Sequence, residues 1–117
     1  MSRKLDAAIA EALGETVARV DYEKYLKYVI PGNKSEQQRD LPCYSTNGNA
    51  MLELEREMSW RGWFIRSMMI FIDDIFIGYS LIEDDEMVRM VVAQANTEPL
   101  ARALAAYKAL TGEEWSE

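Results

Sequence analysis

Ile70-Phe-Ile-Asp-Asp-Ile-Phe-Ile-Gly78, IFIDDIFIG, sets two adjacent carboxylates inside an apolar run. The fold depends on whether they form a turn or a metal-binding pair. Successive side chains of a regular strand point to opposite faces, so Asp73 and Asp74 cannot converge on one ion from a strand. Aspartate is favoured at turns, through local hydrogen bonding and tolerance of left-handed backbone. The pair therefore reads as the two-residue turn of a β-hairpin. Ile72 then faces Ile75, Phe71 faces Phe76, Ile70 faces Ile77 and Met68 faces Tyr79. Both faces of such a hairpin are apolar. A sheet with one wet face alternates apolar and polar residues, so this hairpin requires cover on both sides, by helices or by a second subunit. A two-fold homodimer is the expected assembly.

Working outward, Trp63 to Ala95 is rich in Ile, Val, Phe, Tyr and Met and divides at Asp73-Asp74 and at Glu83 to Glu86, which predicts three strands. Glu83, Asp84, Asp85 and Glu86 fall at the end of the hairpin opposite Asp73-Asp74. They read as a solvated connection or as an acidic contact for a basic partner. Upstream, CYSTNGNAMLELEREMSWRGW offers Ser45 or Thr46 as the cap of a helix that buries Met51, Leu52, Leu54 and Met58, and Gly62 marks its exit. Asn47-Gly48 alone would suit a hairpin turn, but the charged residues between the apolar positions favour the helix.

Leu5, Ala8, Ile9, Ala12 and Leu13 recur at helical spacing, and Gly14 ends that helix. Residues 15–30 fit either a short helix or a strand. Residues 31–40 are polar with turn formers at their head and read as an exposed loop. A last helix is capped by Asn96 or Thr97, tolerates Pro99 in its first turn and carries the stripe Leu100, Leu104, Tyr107 and Leu110. Gly112 closes it, and 113–117 is an acidic tail around Trp115. The whole chain, 1–117, reads as one α+β domain with an antiparallel sheet of about three strands flanked by helices.

Three segments carry a family resemblance: LDAAIAEALG (Leu5 to Gly14), LPCYSTNGNAMLELEREMSWRGWFI (Leu41 to Ile65) and ANTEPLARALAAYKAL (Ala95 to Leu110). Together they resemble the phage ABA sandwich domain, a family of small phage and prophage proteins. The most specific features are the Tyr-Ser-Thr start of the middle helix and the Gly-Trp at the strand entry that follows. The resemblance implies a helix-sheet-helix sandwich and a phage or prophage origin. It brings no catalytic residues to carry over. Small accessory proteins of that origin often counter host defences.

Composition narrows the chemistry. A net charge of −7 and a pI near 4.6 disfavour direct nucleic-acid binding, which needs clustered Lys and Arg to displace counterions. The same acidity suits steering toward a basic partner surface. Arg66, Asp73 and Asp74 interrupt the longest apolar region, so no membrane span is expected. Cys43 is the only cysteine, and Asp6 and Glu11 interrupt any N-terminal apolar run. The expected site is the cytoplasm of a bacterial host. The absence of histidine removes the usual neutral-pH base and the Ser-His and Cys-His dyads, so no enzyme, catalytic residue, metal or cofactor is expected.

Trp60, Arg61, Trp63 and Arg66, with Tyr44, form the best binding candidate, because Arg and Trp dominate interface hot spots and can hold a nucleobase or phosphate. The plainer reading places Trp63 and Phe64 in the core at a strand entry, with Arg61 and Arg66 paired to nearby acidic residues. Met51, Met58, Met68, Met69, Met87 and Met90 likewise suit irregular core filling. Two functions follow. One is an inhibitor that binds a host immune protein directly. The alternative is a sponge that holds a nucleotide signal between subunits. A phage structural or regulatory part is a third.

Overall fold

The computed structural model describes residues 3–21, 26–32, 39–83 and 85–116. Its elements run α1 (Lys4–Ala12), β1 (Ala18–Asp21), β2 (Leu26–Ile30), β3 (Arg39–Asp40), α2 (Gly48–Trp60), β4 (Trp63–Ile70), β5 (Ile75–Glu83), β6 (Glu86–Ala95) and α3 (Glu98–Thr111). Two antiparallel three-stranded sheets result, ordered β1-β2-β3 and β4-β5-β6. The α+β class and the three strands after Trp63 match the sequence reading. The segment left open at 15–30 supplies β1 and β2, and Arg39–Asp40, at the end of the polar 31–40 segment, pairs with Val29 and Ile30. Residues 33–38 of that expected loop lie outside the described residues.

The central hairpin forms, in a different register. Ile70 pairs with Ile75, Met69 with Phe76 and Met68 with Ile77. Ile72-Asp73 is the turn tip, closed by the Phe71 N–H donating to the Asp74 carbonyl at 2.8 Å. Relative to a turn centred on Asp73-Asp74, each partner moves by two residues. A slip of two leaves every side chain on its original face, so the apolar pattern cannot distinguish the two registers. Local contacts do. Gly78 lies opposite Ser67, whose Oγ would stand 2.6 Å from any Cβ added there. A bulge at Arg66 then resets β4 so that Trp63 pairs with Leu81 and Ile65 with Tyr79.

All three helices gather on one face of the β4-β5-β6 sheet. α3 packs on β5 and β6, α2 on β4 and α3, and α1 on α3. Leu5, Ile9, Leu54, Met58, Trp63, Ile77, Tyr79 and Val91 share one core with Ile30 and Leu41 of the smaller sheet's region. The buried side of α3 is alanine: Ala101, Ala103, Ala105, Ala106 and Ala109. The expected stripe of Leu100, Leu104, Tyr107 and Leu110 is only partly buried. A helix enclosed by a sheet and two other helices has room for small side chains facing its neighbours, so the larger residues flank the contacts.

Caps fix the helix ends. Asn47, rather than Ser45 or Thr46, caps α2, its side chain accepting from the Asn49 and Ala50 N–H groups. Ser45 is instead buried, and its N–H donates to Asp6 Oδ1 at 2.9 Å. Leu52, expected inside, is exposed, while Ala50, Leu54 and Met58 are the buried side of α2. Thr97 caps α3, and Gly112 ends it in the left-handed region at φ 76°. Gly62 (φ 88°) makes the tight exit from α2 into β4. A Cβ there would approach both the Ile82 carbonyl and Leu81 at 3.2 Å.

Candidate functional site: the uncovered sheet face

Alternation along the strands sends one set of side chains to the helices and the other to solvent. Trp63, Ile65, Ile75, Ile77, Tyr79, Leu81, Val91, Ala93 and Ala95 face the core. Cross-strand pairing groups the opposite set: Met69 with Phe76 and Gln94, Phe64 with Ser80 and Met90, Gly78 with Val92, and Ile82 with Met87. Phe64, Met69, Met87, Met90 and Val92 are each about half exposed; Phe64, expected in the core beside Trp63, lies on this face because neighbouring strand residues point to opposite sides. Phe71 joins them from the turn, its ring edge-on to Phe76 at 5.8 Å. Gly78 and Ser80 are small and keep the middle strand low between larger flanking side chains. Strand spacing and rise give this face an extent of about 14 Å by 26 Å, or about 360 Å². That is the size of the largest patch on a typical monomer, which is often a functional surface.

Acidic groups border this face at its ends. Asp73 is exposed at one turn, and Asp85, at φ 62°, and Glu86 are exposed at the other. Glu83's side chain and Asp84 lie outside the described residues. The paired positions across the face carry no charge.

Three methionines assigned to core filling, Met69, Met87 and Met90, belong to this exposed face; Met68 pairs with Ile77 on the helix side, where it is 44% exposed, whereas Met58 is buried. The reason is cover. The pattern predicted two apolar faces, and the helices occupy only one of them. The doubly apolar hairpin was the signal that could have located the surface.

The Trp/Arg segment does not assemble into one pocket. Trp63 is buried with the Arg89 guanidinium 5.5 Å above its ring, a cation–π contact. Tyr44 is buried too, and burial, reinforced by the Glu53 charge, pushes its hydroxyl up to about 12. Arg61 donates to the Leu13 carbonyl at 2.8 Å, holding the α2 exit against the end of α1. Arg66 is exposed at the β4 bulge, and Trp60 is exposed at the end of α2.

The main polar cluster is structural in form. The Tyr79 hydroxyl donates to Glu55, which also pairs with Arg102 at 3.3 Å, and Arg102 pairs with Glu98 at 2.6 Å. Burial, then the Glu55 charge, raises the Tyr79 hydroxyl well above the ordinary phenol range. This chain of contacts ties β5, α2 and α3 together. Arg3 similarly pairs with buried Asp6 and donates to the Leu41 and Pro42 carbonyls, fixing the segment before Tyr44.

Among the described residues, no three His, Cys, Asp or Glu side chains gather as a metal cluster, and no helix is long and apolar enough to cross a membrane. No family model matches the chain, and neither the curated proteins nor the solved structures yield a match.

Proposed function

We propose that the chain is a non-catalytic phage or prophage accessory protein of the phage ABA sandwich kind. It acts in the host cytoplasm as a homodimer and inhibits a host immune protein by direct contact. The observation that supports action by contact is the uncovered apolar face of β4-β5-β6. A chain of net charge −7 repels its own copy wherever acidic groups meet. The uncharged face is the surface on which two copies can close without that repulsion, their large side chains flanking the low middle strand of the partner. Closing it sets the acidic turns of both copies at the rim, where they favour a basic protein surface. The phage setting rests on the sequence resemblance alone.

The nucleotide sponge has weaker support. Trp63 and Tyr44 are buried in the core and Arg61 is engaged with Leu13, so these side chains do not present a common wall. A plating assay separates the two ideas. Bacterial strains that each carry a defence system are challenged with phage while expressing the chain. Direct inhibition predicts restored plating that survives Arg61→Ala with Arg66→Ala and is lost on Asp85→Asn with Glu86→Gln. Loss in the arginine variant with retention in the acidic variant would favour the sponge instead.

A further inference from the structure

A cavity of about 370 Å³ lies at the β6 edge of the sheet, where β5, β6, the C-terminal half of α3 and the chain after it meet, lined by Phe76, Val92, Ala93, Gln94, Leu104, Lys108, Glu114 and Trp115. Its size falls within the range of small-molecule sites, roughly 300 to 1,000 Å³. Phe76, Val92, Ala93, Leu104 and Trp115 give it an apolar wall, and Gln94 adds a neutral hydrogen-bonding amide. Trp115 is held in place by its edge-on contact with Tyr107 at 5.2 Å.

Lys108 is the cation of this lining. Its Nζ pairs with Glu114 Oε1 at 2.6 Å, so a carboxylate already occupies the position that a ligand's anionic head would take. The two partners differ in freedom. Lys108 projects from a helix and its side chain is two-thirds covered, whereas Glu114 is 81% exposed beyond the helix end. An exposed pair of this kind contributes little and exchanges readily.

We propose that this cavity binds a small amphipathic monocarboxylate. The apolar body lies against Phe76, Val92, Leu104 and Trp115, and the head group takes Lys108 from Glu114. Glu114 is thus a built-in competitor for the site. The cavity shares Phe76, Val92 and Gln94 with the uncovered sheet face, so it adjoins the proposed dimer contact, but it does not depend on the immune-protein reading. An acidic protein of net charge −7 repels anions in general, so selectivity for a monocarboxylate arises from Lys108 together with the apolar wall.

Octanoate, with octanol as its neutral twin, is the probe. Each is titrated into the full chain while the Trp115 indole signal, assigned with Trp115→Phe, is followed by NMR. Octanoate is expected to shift it saturably, and octanol more weakly. Lys108→Met abolishes the preference for the acid over the alcohol. Glu114→Gln tightens octanoate binding by about two- to fivefold, the worth of an exposed ion pair. The proposal is overturned if octanoate gives no saturable shift at Trp115, if octanol binds equally well, or if Glu114→Gln leaves octanoate affinity unchanged while the fold is intact. Glu114 is exposed, Lys108 is two-thirds covered on the helix surface, and both substitutions nearly preserve side-chain length, so the fold itself is not at stake.

Discussion

Val91 and Val92 are neighbours on β6 with opposite surroundings: Val91 is 6% exposed beneath α3, and Val92 is 45% exposed on the uncovered face. The same division runs across the sheet, with Ile77 fully buried on the inner side. Ile77→Ala removes core packing and is expected to lower stability by about 2–5 kcal/mol. Val92→Ala alters a half-exposed position and is expected to change it by less than about 1 kcal/mol. Urea denaturation of both variants checks the contrast. Similar losses in the two would mean that the faces are not so divided.

The alanines of α3 set how closely its neighbours approach. Ala105 is fully buried, so Ala105→Leu forces added volume between packed elements and is expected to cost about 1–3 kcal/mol or more. Leu52→Ala, at an exposed site on α2, serves as the control and stays within about 0.5 kcal/mol. Thermal unfolding followed by circular dichroism measures both.

Glu55 joins three elements by accepting from Tyr79 and pairing with Arg102. Glu55→Ala leaves the buried Tyr79 hydroxyl without that acceptor and is expected to cost about 1–3 kcal/mol. Arg39, half exposed, pairs with Glu15 at 3.2 Å and Glu53 at 3.7 Å. Exposed pairs contribute about 0–1 kcal/mol, so Arg39→Ala is expected to be mild. Equal losses would contradict the ranking.

Tyr44 and Tyr79 make stability depend on alkaline pH. Both hydroxyls titrate above the ordinary phenol value of 10 in the folded chain, Tyr44 at about 12 and Tyr79 higher, through burial first. The unfolded chain therefore loses these protons first. Their contribution is intact below pH 10 and falls as the pH rises from 10 through 12 and beyond. Tyr44→Phe is expected to flatten that decline, measured as the urea midpoint against pH. A variant as steep as the parent would remove Tyr44 from the explanation.

Much of the architecture was legible in local signals. Gly14, Thr97, Pro99 and Gly112 marked helix ends, and the two acidic turns divided the three long strands. The Asp-Asp turn was placed one residue late because registers two apart share the same apolar pattern, and the Arg66 bulge left no compositional mark. Asn47 beside Gly48 served a helix cap as readily as a turn. The exposed face was visible as excess apolarity in the hairpin, but nothing in the sequence said which side the helices would cover. The lining of the cavity was not legible, because Gln94, Lys108 and Trp115 come from three elements that meet only in the fold.

The central claim is that the uncovered face of β4-β5-β6 is a contact surface on which two copies close. Native mass spectrometry of the purified chain, beside a Met90→Glu with Val92→Glu variant, tests it most directly. The expected result is a homodimer for the parent and a monomer for the variant, with the same circular dichroism spectrum for both. A parent that is monomeric at high micromolar concentration, or a folded variant that remains dimeric, would contradict it.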